Sequence, residues 1–166
     1  MTSKERVRAV MAHQKPDRIP AAFEAVHSVQ ERLMKHYGFT SNDQLMAKFD
    51  IDIIPAAPKY IGPELKSYIN EKGQRVQQTY WGYEQTEQKT DLDTYWSTTY
   101  FPLNDVETVE DVNRAQFPDP DWFDYTPITE ACEKYADKAI IIGHPGPFQM
   151  VTFLIEMDRF FMLMID

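Results

Sequence analysis

Lys138-Ala139-Ile140-Ile141-Ile142-Gly143-His144-Pro145-Gly146-Pro147 is the stretch on which the fold class turns. An apolar run with no polar alternation fits a strand covered on both faces, which is the habit of parallel sheets. Gly143 and the following Pro-Gly-Pro stop the run. Pro147 then suits the first position of a helix, where a missing N–H costs nothing. Working outward, Ile51-Asp52-Ile53-Ile54-Pro55 is a second buried strand of the same kind, and Arg18-Ile19-Pro20-Ala21-Ala22-Phe23 reads as a shorter extended run.

Helical signals fill the spaces between these strands. Thr2-Ser3-Lys4-Glu5 has capping-box spacing, and Val7, Val10 and Met11 recur on one face, which predicts a helix over 3–13 ended by Pro16. Further helices are expected from about His27 to Tyr37, closed by Gly38, and over 42–49, 105–114 and 127–137, with a turn at Pro118-Asp119-Pro120-Asp121. Residues 59–102 differ in character. They are rich in Tyr, Thr and Gln, and Glu71-Lys72-Gly73-Gln74 sits between polar alternating segments, so an inserted β-hairpin is predicted there. Phe148 to Ile165 predicts a buried helix in which Met150, Met157, Met162 and Met164 pack. Strands alternating with helices define a parallel α/β arrangement.

Composition narrows the function classes. Of 166 residues, 43% are hydrophobic and 13% aromatic, enough for a real core. A net charge of -9 argues against nucleic acid or an anionic membrane as partner, because an acidic surface is repelled by both. Cys132 is the single cysteine, so neither an intrachain disulfide nor a Cys-rich metal site can form. The start lacks the apolar core of a secretory signal, and Glu156, Asp158 and Arg159 interrupt the one long apolar stretch. A cytoplasmic location is the expectation.

Glu5-Arg6-Val7 with Pro16-Asp17-Arg18-Ile19-Pro20, followed by Ile140-Ile141-Ile142-Gly143-His144-Pro145-Gly146-Pro147-Phe148, resembles the uroporphyrinogen decarboxylase superfamily in order and spacing. Tyr80-Trp81-Gly82, Phe101-Pro102-Leu103, Thr108-Val109-Glu110-Asp111 and Pro118-Asp119-Pro120 look like the branch related to corrinoid-dependent, methylcobamide:coenzyme M type methyltransferases. The resemblance implies a TIM-type (β/α)8 barrel, which typically needs ~250 residues. The chain is therefore expected to be the N-terminal part of such a barrel over residues 1–166, with about three parallel strands and the hairpin of 59–102 inserted.

The resemblance also directs attention to three positions. Porphyrin decarboxylases carry arginines after the first strand, an aspartate beyond the second and a tyrosine in the helix after the third. Here those positions hold Phe23-Glu24-Ala25-Val26-His27, Lys59 and Phe153. Without the guanidinium partners of a polycarboxylate, methyl transfer to a thiol is favoured over decarboxylation. The methyltransferase relatives bind zinc through a His and Cys set in the second half of the barrel, where the metal lowers the thiol pKa. His13, His27, His36, His144 and Cys132 show no ligand spacing, so no metal is assigned to this chain; zinc and a corrinoid methyl donor are implied only for an intact enzyme.

Barrel enzymes place chemistry at the C-terminal ends of their strands. The substrate-binding candidates are therefore Glu24 and His27, Lys59, and His144 with Gln149; the pocket-wall candidates are Tyr60, Trp81 and Phe153. Each has a plainer alternative: Glu24 and His27 as caps or solvated groups, Lys59 as a solvated turn lysine, His144 as a satisfied buried histidine, and the aromatics as a satellite core. The expected partners are a small-molecule substrate and, for methyl transfer, a corrinoid protein.

Two further readings stay open. One is a uroporphyrinogen decarboxylase of porphyrin biosynthesis. The other is a non-catalytic remnant or half-barrel pairing module, motivated by Phe160 to Asp166, apolar on all sides without a C-cap and suited to self-association. On every one of these readings, methyl transfer included, this chain alone is expected to be inactive.

Overall fold

The structure, a computed structural model, describes residues 1–91, 93–115, 117–143 and 146–165. In chain order its elements are α1 (Ser3–Met11), α2 (His27–Tyr37), α3 (Asn42–Lys48), β1 (Ile53–Pro55), β2 (Lys59–Tyr60), β3 (Ser67–Ile69), β4 (Arg75–Gln78), β5 (Glu84–Lys89), β6 (Thr94–Tyr100), α4 (Val109–Arg114), a single 3-10 turn (Pro120–Trp122), β7 (Phe123–Asp124), α5 (Thr126–Lys134), β8 (Ala139–Ile141), α6 (Pro147–Leu154) and α7 (Met157–Leu163). The chain forms two units, Met1–Lys59 with Asp124–Gly143, and Tyr60–Phe123 with His144–Asp166.

In the first unit, local signals work as the sequence implies. Glu5 N–H donates to Thr2 Oγ1 at 3.2 Å and Thr2 N–H donates to Glu5 Oε2 at 2.9 Å, closing the capping box of α1. Gly38 ends α2 with φ 68°, the left-handed conformation that glycine adopts without strain. β1 and β8 pair in parallel, Ile53 to Ala139 and Pro55 to Ile141. Leu45, Ile51, Ile54 and Ala9 form the buried apolar centre. Ser3 Oγ accepts from Lys138 Nζ at 3.2 Å, and Lys4 N–H donates to Asp137 O at 3.0 Å, tying α1 to the approach to β8.

The expected fold class does not hold. The parallel sheet among the described residues has two strands, and the longer sheet is antiparallel, so the chain is a mixed α/β protein and not the first part of a (β/α)8 barrel. The third expected strand is reduced to one parallel bridge, Ala22 to Ile53. Backbone accounting explains this. Pro20 has no N–H, Ala21 N–H is taken by Asp52 Oδ2 at 2.8 Å, and Ala21 O already accepts from both Asp52 and Ile53 N–H. Of these groups only Ala21 O serves the pairing, through Ile53 N–H.

The second unit holds the antiparallel sheet, in the order β3-β4-β5-β6. Where the sequence suggests one hairpin, the chain makes a four-stranded meander. Asn70 Oδ1 accepts from Lys72 and Gln74 N–H and shapes the first turn, in which Gly73 has φ 73°. Val76 and Thr86 face each other across β4 and β5 and are the buried pair of the sheet; Thr86 and Thr99 hydroxyls meet at 2.7 Å.

The segment 148–165 is also not one buried helix. α6 and α7 are separate, broken at Ile155 and Glu156, where Glu156 N–H donates to Asn104 Oδ1 at 3.1 Å. Leu154 alone on α6 is buried, and Phe148, Met157, Phe161, Met162 and Met164 are exposed. Leu103 N–H to Leu154 O at 2.9 Å and Arg159 Nη2 to Val106 O at 2.9 Å pin this pair of helices to residues 103–106. Among the described residues, no helix is long and apolar enough to cross a membrane.

Candidate functional site

The expected site residues of the first unit lie at or just beyond the C-terminal ends of its parallel segments. Glu24 follows the Ala22 bridge and is exposed. His27 opens α2, is exposed, and places Nε2 3.1 Å from Glu31 Oε1 one turn on. The helix N-cap is Val26, which offers no side-chain cap. Lys59 is exposed in β2. Its charge adds to the Thr126 contacts that hold the Asp124 carboxyl below the usual carboxylate range. His144 lies outside the described residues. Each of the other three is available to a ligand as a solvated side chain.

A more organised cluster stands at the base of β1. Asp52 is fully buried and accepts from Arg6 Nη1 and Arg18 Nη1, each at 2.5 Å, as well as from Ala21 N–H. Arg6 in turn grips Asp17 through Nε at 2.6 Å and Nη2 at 2.9 Å, and Arg18 reaches Asp50 at 2.6 Å. Burial pushes the Asp52 carboxyl up, but the Ala21 N–H, Ser3 and the two guanidinium groups outweigh it and bring its pKa to about 2. Asp17 is likewise lowered, chiefly by its hydrogen bond to Arg6, and the Arg18 guanidinium is held more firmly protonated by Asp52. This is a charge-paired brace that fixes the Pro16–Pro20 turn. Its groups are paired with one another, which makes it a scaffold.

In the second unit, Tyr60, Trp81 and Phe153 belong to an aromatic layer. Tyr60 stacks on Tyr80 at 5.5 Å and meets Trp122 and Phe123 edge-on. Trp81 meets Phe117 at 6.3 Å, and Phe153 stacks on Tyr83 at 5.2 Å. Burial raises the pKa of the Tyr83 hydroxyl. Two recesses open here. One, of about 210 Å³, is walled by Tyr60, Tyr80, Trp122 and Glu64; the other, of about 160 Å³, by Trp81, Phe117, Leu103 and Leu154. Gln149 stands exposed on α6, its carbonyl accepting from Thr152 Oγ1 at 2.8 Å.

Sequence reasoning overlooked Tyr80 and Trp122 as wall residues and the brace as a unit. An aspartate inside the apolar run Ile51–Ile54 is the signal that could have found the brace, since a buried carboxylate must be paired. Among the described residues, no group of three or more His, Cys, Asp or Glu side chains could hold a metal ion. Comparison of the chain with family models, with curated proteins and with solved structures finds no match.

Proposed function

We propose that this chain belongs to an enzyme related to the uroporphyrinogen decarboxylase superfamily, one that moves a methyl group between a corrinoid and a thiol. The observation supporting this reading is the brace. Of the residues that carry the resemblance at the start of the chain, Arg6 and Arg18 converge on Asp52, and Asp17 is gripped by Arg6, so the four form one structural unit. That residues carrying the resemblance also hold one another in space supports the reading. Glu24, His27 and Lys59 favour methyl transfer over decarboxylation: exposed acidic, imidazole and single ammonium groups do not make the bidentate guanidinium set that a polycarboxylated macrocycle needs.

Two assays of the protein as its gene encodes it test the reading. Incubation with methylcobalamin and a thiol should deplete the methylcobalamin absorbance and yield the methyl thioether by mass spectrometry. Incubation with uroporphyrinogen III should release no carbon dioxide. Decarboxylation without thioether formation would establish the competing reading, and neither activity would remove both.

A further inference from the structure

Tyr60, Tyr80 and Trp122 line the recess of about 210 Å³, with Tyr60 and Tyr80 stacked within 20° of parallel and Trp122 at 88° to Tyr60. Two contacts hold these rings in place. Tyr60 Oη donates to Pro63 O at 2.8 Å, and Gly62 sits so close that a Cβ there would lie 2.7 Å from Trp122. Glu64 adds an exposed carboxylate to the lining, and among the described residues no lysine or arginine lines the recess.

We propose that this recess binds a compact methylated ammonium group, quaternary or protonated tertiary. Aromatic faces carry negative potential and attract a cation, most effectively one whose methyl groups have already weakened its hydration. A primary ammonium would lose more hydration than these rings return. An anion is disfavoured by the Glu64 carboxylate, and a purely apolar ligand would forgo its attraction for a cation. The volume is below the several hundred Å³ of ordinary drug-sized sites, so the group is a head of a few heavy atoms. Binding here does not depend on methyl-transfer chemistry, and the two experiments fail separately.

The test is calorimetric titration at low salt with choline, tetramethylammonium and the uncharged carbon isostere dimethylbutanol. Choline and tetramethylammonium should bind saturably, at least roughly tenfold tighter than the isostere. Glu64→Gln should weaken choline several-fold and leave the isostere unchanged, and Tyr80→Leu and Trp122→Leu should weaken both cations. Tyr80 and Glu64 are exposed, so those variants keep the test alive if Trp122→Leu does not fold. Equal affinity for cation and isostere, no saturable binding, or indifference to both Glu64→Gln and Tyr80→Leu would overturn the proposal.

Discussion

Arg6 Nη1 donates to Asp52 Oδ1 at 2.5 Å, joining the first helix to the foot of β1 across 46 residues of chain. The carboxylate is wholly inside, whereas Arg18, its second partner, keeps a side-chain exposure of 34%. Pairing of this kind commits both sides. Once the charge is buried, each guanidinium becomes necessary to the other groups, and the turn from Pro16 to Pro20 has no freedom to rearrange.

Asp52→Asn keeps the shape and removes the charge, leaving two guanidinium groups facing an amide. Arg6 retains Asp17 and Arg18 can turn to solvent, so the loss falls at the low end for a broken buried pair, about 3 kcal/mol. Asp50→Asn is the control. Asp50 is exposed and has φ 48°, a conformation asparagine tolerates, so the change should cost no more than about 0.5 kcal/mol. Urea unfolding followed by circular dichroism separates the two; equal losses would mean that burial of Asp52 is not what matters.

Acid sensitivity follows from the same group. Its folded pKa of about 2 lies below the unfolded value near 4, so the unfolded chain binds protons first as pH falls. The stability contributed by Asp52 is present above about pH 4 and is lost as pH drops from about 4 to about 2. Asp17 and Asp43 shift in the same direction and add to the slope. Urea midpoints measured across this window should fall steadily in the wild type and less steeply in Asp52→Asn. Identical acid limbs would place the titration elsewhere.

Tyr135 Oη donates to Asp43 Oδ1, while Lys134 Nζ lies 2.6 Å from Asp43 Oδ2, so one carboxylate on α3 is held by two neighbours on and just past α5. Tyr135→Phe should cost about 1 kcal/mol, the worth of a hydrogen bond to a charged group at a half-exposed position. Lys134→Met should show an effect that fades with added salt, as exposed ion pairs are screened. Unfolding at low and high ionic strength distinguishes them.

Elements announced by chemistry confined to one helical turn were legible in the sequence. The Thr2–Glu5 capping box and Gly38 bound α1 and α2 almost to the residue. Pairing between distant segments was not. Nothing local in Tyr95-Trp96 or Glu84-Gln85 says that β5 will take β6 and β4 as partners, and the polar surface of these strands hides the buried Val76 and Thr86. The parallel count failed because the competition for the backbone of Ala21 comes from a side chain, Asp52, which periodicity does not register. For the candidate site, Tyr60, Trp81 and Phe153 were visible as aromatics. Trp122 was not, because Pro118-Asp119-Pro120-Asp121 reads as a turn and draws attention from the residue it delivers.

Gly62→Ala tests how tightly the aromatic layer is set. The added methyl would lie 2.7 Å from Trp122 Cβ and Cγ and 2.8 Å from Tyr60 Oη, closer than atoms sit without displacement. The expected cost is about 1–3 kcal/mol of overpacking strain. Near-ultraviolet circular dichroism should change with it, since Tyr60 and Trp122 must move. An unaltered spectrum and unaltered stability would show that the rings yield freely.

Met162→Lys and Met164→Lys bear on what covers the last two helices. Both methionines are more than half exposed, so each substitution should alter stability by no more than about 0.5 kcal/mol. Lysine in the last turn of α7 also meets the negative end of the helix dipole, a favourable placement for positive charge. Leu154→Ala, by contrast, removes a side chain with 7% exposure and should cost roughly 2–4 kcal/mol. Dye binding by the wild type, reduced in the two lysine variants, would locate an apolar surface on α7. A different result carries its own meaning: if Met162→Lys destabilises as strongly as Leu154→Ala, the face is covered in solution. The wild-type midpoint should then rise with protein concentration, as it must when association stabilises the folded chain.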